Sequence, residues 1–181
     1  MNFRKLFLRH PKTWIWSDQH FGHRSICRFT KADGVTPLRP WDYVEEMDSI
    51  LIANHNQTVD SRDCVLFLGD VAMKVSILDS VMPRLTRTKT RILVRGNHDT
   101  ASHDFYKKYF DFVLTMITIN GVCVMTHIPI HPDSIGRYGV NLHGHTHDKH
   151  IQDSRYKNVC VENTDYRPIL LSPLVGDLTN A

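Results

Sequence analysis

Cys64-Val65-Leu66-Phe67-Leu68-Gly69-Asp70 is an apolar run that stops on a glycine and a carboxylate. A short run of this composition, closed by a turn residue, reads as a buried strand. The same arrangement recurs outward from it. Residues 13–16 lead to Asp18, and Arg91-Ile92-Leu93-Val94 leads to Gly96. Val122-Cys123-Val124-Met125 leads to His127, and residues 138–142 lead to Gly144. Each strand therefore hands a polar side chain to the loop at its end, where open sheets place their sites.

Helical patterns fill the gaps. Residues 41–58 put Val44, Met47, Ile50, Leu51 and Asn54 on one stripe, with Glu45, Glu46 and Asp48 away from it. Residues 77–85 predict a shorter helix interrupted by Pro83, and residues 103–110 a third. Asn120-Gly121 between residues 115–119 and 122–126 is a hairpin turn. Strands alternating with helices, then a hairpin-rich second half, define a mixed α/β chain. With 181 residues and 41% hydrophobic content, one domain spanning residues 1–181 is expected.

The motifs carry carboxylate, imidazole and amide groups and no thiolate: Asp18-Gln19-His20, Gly69-Asp70, Gly96-Asn97-His98-Asp99, His127 and Gly144-His145-Thr146-His147. That set suits Mn, Fe, Zn or Ni and is large enough for two divalent ions sharing one carboxylate. The net charge of +3, with histidine neutral, fits an anionic substrate. Nucleic acid is not favoured as a partner, because the basic stretch at residues 84–95 has no interleaved aromatics. Cys27, Cys64, Cys123 and Cys160 show no paired spacing, so buried free thiols in a reducing compartment are expected. No apolar stretch reaches the roughly 20 residues of a membrane span, and Leu6-Phe7-Leu8 is too short for a signal peptide. A cytoplasmic protein with no membrane partner is expected.

In this order, the motifs from Asp18 to His147 resemble the calcineurin-like metallophosphoesterase superfamily. Asp18-Gln19-His20-Phe21-Gly22-His23 is similar to the first motif of a small single-domain branch. The resemblance implies two packed mixed β-sheets flanked by helices, an αββα sandwich. It implies that Asp18, His20, Asp70 and His147 hold one metal, and that Asp70, Asn97, His127 and His145 hold the second. A metal-bridging hydroxide would attack the phosphorus, and His98 would protonate the leaving oxygen, with Asp99 orienting its ring. Asn97, His98, His23 and Arg137 are expected to touch substrate.

Departures from the family narrow the substrate. Protein serine/threonine phosphatases carry Gly-Asp-x-x-Asp-Arg-Gly, whereas Val71-Ala72-Met73-Lys74 follows Asp70 here. The expectation is a phosphoesterase acting on small phosphoesters, including nucleotides, with phosphodiesters favoured. The alternative is a phosphomonoesterase or nuclease. Loops 30–40 and 131–138 and the segment 165–168 are the expected selectors of substrate.

Overall fold

The computed structural model describes residues 1–176 and Leu178. Strands β1 (Thr13–Trp16), β2 (Cys64–Phe67), β3 (Thr90–Val94) and β4 (Phe112–Leu114) run parallel. Strands β5 (Met116–Ile119), β6 (Cys123–Thr126), β7 (Val140–His143) and β8 (Tyr156–Asn158) form a second sheet in sequence order. There β5 and β6 are an antiparallel hairpin, and β6, β7 and β8 are parallel. Strand β9 (Ile169–Leu170) returns to the first sheet antiparallel to β1, giving the order β4-β3-β2-β1-β9.

Helices cover the first sheet because its strands are apolar on both faces, as parallel strands with two covered faces are. Trp14, Trp16, Val65, Phe67 and Leu93 share one cluster with Met47 and Leu51 of α2 (Val44–Thr58) and Leu78 and Val81 of α3 (Val75–Val81). The alternate residues Ile15, Cys64, Leu66, Leu68, Ile92 and Val94 meet Ile117, Ile119, Cys123, Met125 and Leu142 of the second sheet. The α/β class and the two packed mixed sheets flanked by helices are as expected.

Boundaries differ where local chemistry intervenes. α2 begins at Val44 rather than at residue 41. α3 starts earlier than expected, and Pro83, which lacks an N–H, turns its end into a 3-10 stretch, Met82–Arg84. The third helix shortens to His103–Tyr106. The Asn120-Gly121 hairpin forms as read, with Gly121 at φ +76°. Strands β4, β8 and β9 are too short to leave a periodic signal. Cys64, Cys123 and Cys160 are buried and all four cysteines are free thiols. No helix among the described residues is long and apolar enough to cross a membrane.

His55 is the most deeply buried polar residue that α2 inserts into this core. Its ring lies 5.3 Å from that of Trp16 and 6.3 Å from that of Phe67. Burial pushes its imidazolium down from 6.5 to about 4. The folded state therefore favours the neutral ring, and the unfolded chain takes up a proton that the folded chain refuses. The resulting stability is fully present above about pH 6.5 and is lost as pH falls toward about 4. We expect the stability advantage of wild type over His55→Leu, from urea unfolding, to shrink between about pH 7.5 and about pH 4.5. An advantage constant across that range would show that the ring protonates in place.

Candidate metal centre

The C-terminal ends of β1, β2, β3, β6 and β7 open on one edge, and the loops that leave them carry all the candidate ligands. The chain reaches them through an uncommon backbone. Seven non-glycine residues have positive φ, and five are Asp18, His20, Asp70, His145 and His147. Such left-handed residues cost roughly 1–3 kcal/mol each and persist where the surroundings hold them. Two glycines permit the close approach of the loops. A Cβ on Gly96 would fall on the Asp70 carboxylate, and one on Gly144 on Ser17 and Asp18.

Asp18, His20 and His147 bring ligand atoms within 4.8 Å of one another, and so do Asp70, His127 and His145. These two groups could hold metal ions. Hydrogen bonding shows why a cation fits. The Ser17 hydroxyl, the His145 N–H and the Cys160 thiol all donate to Asp18 Oδ2, at 2.6, 2.9 and 3.2 Å. Asp18 Oδ1 is buried without a partner, and so is His20 Nε2, 3.7 Å away. His127 Nδ1 lies 2.8 Å from the Leu68 carbonyl, which can only accept, so the proton of a neutral ring sits on Nδ1. The bare Nε2 then faces Asn97 Oδ1 at 3.0 Å and Asp70 Oδ2 at 3.3 Å. Lone pairs aimed at one another without a proton between them repel, and a divalent cation removes the repulsion.

Asp70 lies between the groups. Its Oδ2 is 3.6 Å from His20 Nε2 and 3.3 Å from His127 Nε2, while its Oδ1 accepts the His98 N–H at 2.8 Å. The electrostatics follow the same crowding. Burial works against the Asp18 and Asp70 carboxylates, but the surrounding imidazoles hold both below the usual range. Burial would lower the His127 imidazolium, but with no cation present a proton takes the cation's place between Nε2 and Asp70: the Asp70 hydrogen bond and the Asp18 charge outweigh burial and raise the ring to about 9. His145, with no such carboxylate bond, is lowered by burial and by the charge on His127.

Other expected residues sort differently. His98 is exposed on the rim, its ring edge-on to that of His20 at 5.3 Å. Asn97 is also exposed, beside His127. His23 accepts the Ile26 N–H on Nδ1 at 2.9 Å, so a neutral ring presents Nε2–H as a donor, 5.5 Å ring-to-ring from His20.

Asp99 corrects the expectation. Its carboxylate turns away from the His98 ring and accepts the N–H groups of Asp70, Val71 and Gly96 at 2.8, 3.2 and 2.8 Å. It staples the second motif loop to the third. Arg137 is a second correction. It precedes β7, its carbonyl accepts the Gly121 N–H at 2.9 Å, and it stacks on Tyr138. It therefore lies at the opposite end of the parallel strands from the ligands. In the 165–168 segment, Tyr166 packs against the Trp41 ring at 4.6 Å and its hydroxyl reaches the carbonyl of Leu38, beside the site. Loop 30–40 does reach it: Phe29, Thr30 and Leu38 face His145, His147 and Lys149 across a cavity of about 380 Å³. Ser17 and Cys160, which fix Asp18, carry no signal in the motif spacing.

An α/β sandwich with two His/Asp groups able to hold metal ions is the class that the fold and site define. The chain belongs to the family of uncharacterized protein MJ1445 from Methanocaldococcus jannaschii. The two are 30% identical over 173 residues, 91% of this chain and 89% of that protein. No protein-family model matches the chain. The protein of unknown function AQ665 from Aquifex aeolicus shares the fold, with a TM-score of 0.68 at 21% identity over 90% of this chain and 97% of that one. Nuclease MPE from Pseudomonas putida is more distant, with a TM-score of 0.47 at 20% identity over 75% of this chain and 61% of that one. At that distance its activity does not carry over.

Asp99→Ala would strand three N–H groups, at roughly 1–3 kcal/mol each. We expect metal-stripped Asp99→Ala to lose about 3 kcal/mol or more in urea unfolding. Lost turnover with unchanged stability would instead restore Asp99 as the partner of the His98 ring.

Proposed function

We propose that residues 1–181 form one domain of the calcineurin-like metallophosphoesterase superfamily, a dinuclear-metal-dependent hydrolase of small phosphoesters that prefers phosphodiesters. The observation that carries this reading is the place of Asp70 Oδ2 between His20 and His127, where one carboxylate would serve both ions. Asp18, His20, Asp70 and His147 would hold one, and Asp70, Asn97, His127 and His145 the other. Mn, Fe, Zn or Ni suits this nitrogen and oxygen set. When bound, the pair polarises the phosphoryl group and lowers the pKa of water, supplying a nucleophile near neutral pH.

The remaining work belongs to the chain. His98 has no hydrogen-bond partner for its ring among the described residues, so it is free to hand a proton to the leaving oxygen. Its backbone is anchored on Asp70, which keeps the acid beside the metals. His23, beside His20, would offer its Nε2–H to a phosphoryl oxygen. The cavity beside Phe29 receives the rest of the substrate.

Charge favours a diester. Arg39 donates to the Asp18 and Gln19 carbonyls and pairs with Glu162, and Arg95 donates to the Asp99 and Ala101 carbonyls. Neither guanidinium is left for a dianionic monoester, and the cavity wall adds the single ammonium of Lys149, which matches the one negative charge of a diester. The poor alkoxide leaving group of a diester also gains most from a proton. Arg91 donates to the Leu85 and Thr86 carbonyls, and Arg87 pairs with Asp111, so much of the 84–95 stretch is not a groove for nucleic acid. Buried free thiols suit the cytoplasm.

We expect the metal-stripped protein to be inactive, to regain activity with added Mn, and to bind up to two equivalents. Asp70→Asn should nearly abolish both. Full activity in the stripped protein would end the reading. kcat/KM for matched nitrophenyl mono- and diesters tests the preference, and a monoester preference of about tenfold or more would leave only the broader phosphoesterase assignment.

His98→Ala should lower turnover roughly 10²–10⁴-fold, the range of a general acid, with metal content unchanged. The loss should be smaller for nitrophenolate leaving groups, which need little protonation. An equal loss for alkoxide and nitrophenolate would limit His98 to holding the phosphate.

A further inference from the structure

Outside the motifs, one buried ion pair leans on the candidate centre. Glu162 sits in the 3-10 turn Val161–Asn163, and its side chain is 0% exposed, as is that of Arg39. A single oxygen, Glu162 Oε1, accepts from His147 Nδ1 at 2.9 Å and from Arg39 Nε at 2.8 Å, and it lies 2.7 Å from Arg39 Nη2 as an ion pair. Arg39 then reaches the turn that carries the first motif. Its Nη2 donates to the Asp18 carbonyl at 2.6 Å and its Nη1 to the Gln19 carbonyl at 3.1 Å.

We propose that Glu162 and Arg39 are a positioning pair that presets Asp18, His20 and His147 for a divalent cation. This rests on the metallophosphoesterase reading and extends it to two residues outside its motifs.

The reasoning is geometric. A carboxylate paired with a guanidinium offers only lone pairs to the ring, so a neutral His147 carries its proton on Nδ1 and leaves Nε2 bare for a metal. A carboxylate behind a ligating imidazole fixes its tautomer and its ring plane, and losing such a partner typically weakens metal binding 10–100-fold. Arg39 has the complementary task. Asp18 and His20 are left-handed at φ 61° and 51°, and the guanidinium clamps the carbonyls of Asp18 and of the intervening Gln19. Its planar fork reaches both carbonyls and the carboxylate together, which a lysine ammonium on a flexible stem would not. The pair thus joins the turn after β1 to the loop after β7, the two sources of this ligand group. Tyr166 supports the same segment, donating its hydroxyl to the Leu38 carbonyl at 3.2 Å.

The test uses the full chain, stripped with chelator and titrated with Zn²⁺ by calorimetry. The His147 tautomer is read from its ring ¹⁵N shifts before metal is added. Replacing a buried ion pair by apolar residues of similar size is often neutral for folding, so the double variant R39M/E162L separates positioning from stability. We expect wild type to take up two equivalents and to show Nδ1–H at His147. We expect R39M/E162L to unfold near the wild-type temperature, to lose the single tautomer, and to bind one of the two equivalents roughly 10–100-fold more weakly. E162Q keeps an acceptor for the ring but removes the charge. It should keep the tautomer and weaken one equivalent by a smaller factor, and it decides the matter if the double variant does not fold. Two equivalents bound by either folded variant as tightly as by wild type would overturn the positioning role alone. A wild type that binds no Zn²⁺ would overturn the metal reading and this inference with it.

Discussion

Buried carboxylates facing imidazole nitrogens are the constraint around which this molecule is arranged. Asp18 and Asp70 are carboxylates inside the protein, and the atoms facing them are imidazole nitrogens, which meet the charge only with a proton or a cation between. Burial of an anion is unfavourable unless charge or donors meet it. The chain answers with donors on one side of each group: Ser17, Cys160 and the His145 N–H on Asp18, and the His98 N–H on Asp70. The opposite side is left bare. Tautomers, loop glycines and left-handed residues all serve that one-sided saturation.

The three backbone bonds to Asp99 show how the loops tolerate it. Loops from β2 and β3 would otherwise repel through their N–H ends. One carboxylate gathers those ends, and its own acidity is weakened by burial and by the Asp70 charge despite the three bonds. A residue that looks chemical in the sequence is thereby a structural rivet between the two motif loops.

What could be read from the chain, and what could not, follows from this division. The candidate ligands at strand ends are legible because each comes directly after an apolar run: Leu68 before Gly69-Asp70, Val94 before residues 96–99. Continuous apolar runs also announced a sheet covered on both faces. Asp99 was misread because adjacency to His98 in sequence says nothing of which way a carboxylate turns in a tight loop. Arg137 was misplaced because a loop between parallel strands starts at one end of the sheet and finishes at the other, so only the residues nearest β6 stay at the site. Glu162 and Arg39 were invisible, since their partnership is purely tertiary and neither lies in a motif.

The division of each ligand group between the two sheets bears on how the molecule comes into being. His145 and Asp18, 127 positions apart, share a hydrogen bond, and neither group can be complete until the second sheet has docked on the first. Contacts so distant along the chain form slowly, because loop closure precedes their reward. During synthesis the first sheet, short of β9, can assemble while β7 is still unmade. Assembly of the ligand groups is therefore a late event, and capture of a cation there would mark a finished chain rather than help to build one.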